Sequence, residues 1–349
     1  MLSLLQTGRL TPPERDPLAF LWRYDPDVRA LAVAALCLFV LLLGVHSWLS
    51  ALVYIVAVAP GVLFVRALTR RYPGVVEDSA LARSALAGLL STMLILLYEM
   101  IVEMIVVAIG FASFVKTGSV TFLAVLIAFG QAFFVAAACE EWMKFRLAQR
   151  ALHFEAAGTP TAVMLHAAAA AAAFASLENV FYLNFRAVAP ADCYLDYESG
   201  SSSRGVPPLA IILVRCILGV PTHIFEGITN GAGLAMYHFG RPDGPPAYLT
   251  WGALFGIMWP SLLTHGLWDF LIFLGVQGGA LATGVVMPLV TAYVCNFRVN
   301  KLRKLEADLA ANSFVDDSSG AGGGASAATT DPEAAFLAPA ADEHARNGF

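Results

Sequence analysis

The sequence predicts an all-α protein, a polytopic transmembrane helix bundle of about eight spans followed by a disordered C-terminal tail. Three observations lead there. Of the 349 residues, 58% are hydrophobic and only 13% charged, against about 25% charged in a soluble domain. The apolar residues fall into runs of roughly 17 to 25, the length that crosses a bilayer as a helix. Lysine and arginine recur in alternate short loops, as cytoplasmic loops require.

The candidate spans lie at about 31–47, 50–68, 84–110, 119–142, 160–185, 208–239, 248–275 and 280–296. The first two are short and nearly contiguous, which suits a helical hairpin. The sixth is too long for one straight span and contains Pro221, so a kink or break is expected there. The chain divides accordingly into a cytoplasmic segment 1–30, N-terminal membrane helices 31–118, a core 119–296, and a basic juxtamembrane segment with the tail, 297–349. From about residue 306 the tail is rich in Gly, Ala, Ser and Asp without sustained periodicity, a composition that resists folding.

Orientation follows from the loops. Arg9, Arg15, Arg23 and Arg29 precede the first span, and Arg70, Arg71 and Arg83 separate the second from the third. Lys144, Arg146 and Arg150 follow the fourth, and Arg298, Lys301, Arg303 and Lys304 the eighth. Loops of the other parity carry few positive charges, so both termini are expected on the cytoplasmic side. The first thirty residues lack a short apolar region with a small-residue cleavage site, and no cleaved signal peptide is expected. The five cysteines have no CxxC spacing, which argues against a disulfide scaffold or a zinc knuckle. No basic block points to nucleic acid.

A charge inside a bilayer costs about 2.5–3.5 kcal/mol on insertion scales, so ionisable residues within the spans are the functional candidates. In "ACEEWMKF", Glu140 and Lys144 share a helix face, with Glu141 turned aside. Alone, this stretch reads equally as a salt-bridged helix end. In "FASLENVFYL", Phe174, Glu178, Phe181 and Tyr182 recur at helical spacing, and Asn179 adjoins them. The alanines that precede them allow another helix to approach closely. An interhelical hydrogen bond would account for Glu178 structurally.

His223 follows Pro221 in "GVPTHIFEGITNGAG", where the proline frees backbone groups, and Glu226 is within reach of it. In "LLTHGLWDFL", His265 and Asp269 share one face, so the aspartate is expected to fix the imidazole tautomer. Glu99 and Glu103 in the third span would repel each other if both were ionised, and a structural or lining role suits them.

Taken in order these are Glu140-Glu141-x-x-Lys144, Phe174-x-x-x-Glu178-Asn179-x-x-Tyr182, His223 and His265-x-x-x-Asp269. The set resembles the PrsW-type intramembrane proteases, a family related to the CAAX-prenyl endopeptidases and bacteriocin-processing membrane proteases. The resemblance covers about 120 to 275 and implies an intramembrane endopeptidase, seated in the lipid bilayer, that hydrolyses a peptide bond of a membrane-anchored protein. It implies Glu140 and Glu141 as the water-activating pair, Glu140 favoured because Lys144 shares its face. It further implies that His223 and His265 polarise the water and the oxyanion, that Asp269 orients His265, and that Glu178 and Asn179 complete the cavity.

Two mechanisms fit. Either the glutamates and histidines act without metal, or His223, His265 and a carboxylate bind Zn²⁺ with an open position for water. No HExxH motif is present, and the metal-free version is slightly preferred on the sequence. A proton- or ion-coupled transporter using the same Glu, His and Asp residues is the alternative class, although no internal repeat supports it. The site also sets a condition on the fourth helix. Glu140 and Glu178 meet only if that helix runs past 142, to about Leu152, and "WMKFRLAQRAL" favours helix.

Overall fold

The computed structural model of the protein describes residues 48–117, 122–154, 157–185, 213–241, 249–273 and 279–320. All regular structure among them is helical. The helices are α1 (Trp48–Arg71), α2 (Asp78–Thr117), α3 (Phe122–Gly130), α4 (Ala138–Phe154), α5 (Pro160–Phe185), α6 (Val220–Phe239), α7 (Trp251–Phe273) and α8 (Gly279–Gly320). The candidate span at 31–47 and the loop at 186–207 lie outside the described residues. Three helical stretches among the described residues are long and apolar enough to cross a membrane: Ser79–Val102, Val125–Leu152 and Pro160–Phe181.

The last of these is the axis of the bundle. It is 94% buried inside the protein, and α5 packs against α1, α2, α4 and α6. Its run of alanines explains how so many helices reach it, because only methyl groups separate the backbones. On the facing helices the matching positions are glycines. A Cβ on Gly227 of α6 would strike the side chain of Ala171, and one on Gly88 of α2 would strike the carbonyl of Ala170. Outward faces are apolar instead: Leu94, Leu97, Ile101 and Ile105 form an exposed stripe along α2, and Phe255, Trp259 and Leu263 one along α7. A bilayer is the solvent that such stripes fit.

Two helices carry π-helical segments just upstream of the residues singled out above. Gln131–Ala137 joins α3 to α4, and the Ala138 N–H donates to the Phe133 carbonyl, one residue further back than in an α-helix. Arg215–Gly219 leads into α6, where the Val220 N–H donates to the Arg215 carbonyl in the same way. The expected break at Pro221 is therefore a change of helical pitch, with the proline in the first turn of α6. Proline is tolerated there because the missing N–H falls where the hydrogen-bond pattern is already interrupted. The fourth helix runs past 142, to Phe154. At the other end, α8 continues to Gly320, through residues that the composition assigns to the tail. "KLRKLEADLAAN" consists almost wholly of good helix formers, which outweigh the low hydrophobicity. Residues 321–349 lie outside the described part.

Candidate active site

Four helices and the π segment before α6 bring charged side chains to one buried place. α4 supplies Glu140, Glu141 and Lys144, α5 supplies Glu178 and Asn179, α6 supplies His223, Glu226 and Asn230, and α7 supplies Ser261, His265 and Asp269. Glu141 and Glu226 are fully buried and Lys144 is 1% exposed. Ions desolvated to this degree persist only when paired and hydrogen-bonded.

Lys144 is the hub. Its Nζ lies 2.5 Å from Glu141 Oε1, 2.8 Å from His223 Nδ1 and 3.0 Å from Glu226 Oε2. An ammonium has three donors, and these three contacts use all of them. Glu140 Oε2 is left at 3.6 Å from the same nitrogen. Spacing along α4 favoured Glu140 as the partner of Lys144. The structure holds that ion pair at 3.6 Å and adds a closer one to Glu141, on the side where α6 presents Glu226 and His223.

Both histidines stand between carboxylates. His265 Nδ1 lies 2.9 Å from Glu141 Oε1, and its Nε2 lies 3.3 Å from Asp269 Oδ2 and 3.7 Å from Glu140 Oε2. His223 Nε2 lies 3.0 Å from Glu178 Oε2, off the line of an ideal hydrogen bond, and its Nδ1 lies 3.7 Å from Glu140 Oε2. Glu141 and Glu178 thus occupy the outer nitrogens, and the inner nitrogens both face Glu140. Asp269 meets His265 from its own helix, as the spacing led one to expect, and Glu141 meets the other ring nitrogen.

The remaining carboxylates are held from outside. Arg215 Nη2 lies 2.7 Å from Glu178 Oε1, and its Nε donates to Asn179 Oδ1 at 2.9 Å. Asn179 also donates to the Ala57 carbonyl at 3.4 Å, so it ties Arg215 to α1. Asn230 Nδ2 donates to Glu141 Oε2 at 2.9 Å, and Ser261 Oγ donates to Asn230 Oδ1 at 3.0 Å. Glu140 Oε2, Glu178 Oε2 and Glu226 Oε1 are buried oxygens without a hydrogen bond.

Glu99 Oε1 on α2 is another. The side chains of Glu103 and Tyr182 lie outside the described residues. Arg215, Asn230 and Ser261 went unread in the sequence. Arg215 is a charge within an apolar run, and Asn230 shares a helix face with His223 and Glu226, so both carried a signal.

Two groups here have the donor atoms and spacing for a metal ion. Ligand atoms of Glu140, His223 and His265 lie within 4.8 Å of one another, and so do those of Glu141, Glu226 and His265. The Lys144 ammonium already bridges Glu141 and Glu226. The group around Glu140 has a buried Oε2 without a hydrogen-bond donor that faces one nitrogen on each histidine, and at His223 Nδ1 a metal would take the place of the Lys144 contact.

The sequence pattern of one family, PrsW family intramembrane metalloprotease, matches residues 78–295. The chain belongs to that family. The match is wider than the motifs alone, since it takes in α2 and the first part of α8. No curated protein and no solved structure matches the chain. As a PrsW family member the protein is an intramembrane protease, and its substrates are proteins embedded in the bilayer. The buried Glu/His cluster suits that chemistry and has a donor set that fits a metal.

Proposed function

We propose that the protein hydrolyses a peptide bond of a membrane-anchored protein with a Zn²⁺ ion held by Glu140, His223 and His265. The observation that carries this reading is the unmet Glu140 Oε2, buried and 3.7 Å from a nitrogen of each histidine. An ion held by these three residues would supply a bound water of lowered pKa and a Lewis acid for the scissile carbonyl. Glu178 and Glu141 orient the two imidazoles from their outer nitrogens. Lys144 pairs with Glu141 and Glu226 and supports them from one side. Asp269, 20% exposed beside His265, receives the proton of the attacking water and returns it to the leaving amine.

The architecture that accompanies this reading has eight spans, with the segments 1–30 and 297–349 both cytoplasmic. The alternation of basic loops supports it.

The test is cleavage of a fluorogenic single-span reporter co-reconstituted with the purified protein in liposomes. Glu140→Gln is expected to lower cleavage by at least about a hundredfold while the unfolding temperature stays within a few degrees of the parent. Parent-like cleavage by Glu140→Gln contradicts the assignment. Reconstituted protein that instead moves protons or ions across the liposome, and cleaves nothing, would favour a transporter.

A further inference from the structure

We infer that Arg298 is a positioning residue for His265 and acts through the proline kink in α7. Pro260 has no N–H, so the Gly256 carbonyl one turn earlier has no helical donor. Gly256 lies on the exposed apolar face of α7, where a carbonyl that faces lipid without a donor is costly. Arg298 of α8 supplies the donors. Its Nη2 donates to the Gly256 carbonyl at 2.8 Å and its Nη1 to the Ile257 carbonyl at 2.6 Å. The same Nη1 lies 3.0 Å from the Thr229 carbonyl of α6. The planar guanidinium fork fits such a set of acceptors, and an ammonium does not reach all three.

Gly233 of α6 makes the passage. A Cβ there would collide with Arg298 Nη1 and lie 3.1 Å from Ile257 Cγ2. The three carbonyls stand directly beside the site. Thr229 precedes Asn230, the donor to Glu141. Gly256 and Ile257 precede Ser261, whose hydroxyl donates to Asn230 Oδ1 at 3.0 Å and faces the Glu226 carbonyl at 3.4 Å. His265 is one turn further on. Arg298 therefore fixes α7 against α6 at the level that sets the distance from His265 to Glu141 and Glu140. It lies beyond the residues matched by the family, 78–295.

The inference rests on the proposed function only in treating His265 as a working group. The experiment uses the full chain in detergent micelles and compares the parent, Arg298→Met, Pro260→Ala and the double variant. Amide hydrogen exchange over residues 256–265 is read without metal, and zinc affinity is read by competition with a chromogenic chelator. Arg298→Met is expected to speed exchange and weaken zinc binding by about tenfold each. With Pro260→Ala the restored N–H meets the Gly256 carbonyl, and the same substitution is then expected to change exchange by less than about threefold.

Equal effects in both backgrounds, or none in either, overturn the inference. Arg298→Lys is expected to fall between the parent and Arg298→Met. If Arg298→Met does not fold, Gly233→Ala replaces it and should speed exchange in the same segment; parent-like exchange in that variant overturns the inference. A parent that binds no zinc contradicts the proposed function, while the exchange measurements still decide the role of Arg298.

Discussion

Lys144 has three donors and three acceptors in the site, and this balance separates the two adjacent glutamates. Glu141 receives Lys144 and His265 on one oxygen and Asn230 on the other. Glu140 has a buried oxygen with no donor. Two substitutions should therefore act in opposite ways. Lys144→Met strips two buried carboxylates of their cation and is expected to destabilise the fold by about 3–5 kcal/mol, seen as a large fall in unfolding temperature. Glu140→Gln removes the least satisfied charge and should leave stability nearly unchanged while abolishing cleavage. A stable Lys144→Met protein would show that the network is not the internal support described here.

Arg215 makes a related prediction. Arg215→Met should weaken zinc binding about 10- to 100-fold, the range for losing an outer partner of a metal-bound histidine. Chelator competition measures this, and unchanged affinity would show that Glu178 does not hold His223 through Arg215.

At the scale of the element, the EE, EN and HxxxD motifs could be read because ionisable residues are rare and costly in membrane helices. Their geometry could not. Each π segment inserts one residue per turn just before a site motif, at 131–137 and at 215–219, and so turns the downstream face. Helical spacing counted along α4, which is unbroken from Ala138 to Phe154, took no account of the neighbours of Lys144. The neighbours that decide its pairing, Glu226 and His223, come from α6, far away in sequence. The alanine run of α5 was legible as a close-packing surface, and the glycines opposite it complete that surface. Gly88→Val should be costly, because its side chain would enter the Ala170 carbonyl. An expected loss of about 1–3 kcal/mol, read by thermal unfolding in detergent, follows from overpacking; a neutral result would show that α2 yields.

For the whole molecule, composition and run length were enough for an all-helical membrane protein, since both follow from what a bilayer tolerates. The span boundary near 142 falls where hydropathy drops at the charged part of α4, and the helix continues past it to Phe154, as the shared site required. That charge is buried against α6 and α7. Similarly, α8 outlasts its apolar part, because helix propensity persists after hydrophobicity has gone. The choice between metal-free and metal chemistry lay beyond the sequence. Spacing along single spans does not say which groups of α4, α5, α6 and α7 face one another, and the donor set of a metal site is a property of that packing.

The central claim is that Glu140, His223 and His265 hold one zinc ion, and the direct measurement is the zinc content of the purified full chain before and after chelation, with cleavage followed in parallel. The account predicts about one zinc per chain, loss of cleavage as zinc is removed, recovery on its return, and neither zinc nor cleavage in Glu140→Gln. Full cleavage by zinc-free protein would contradict it.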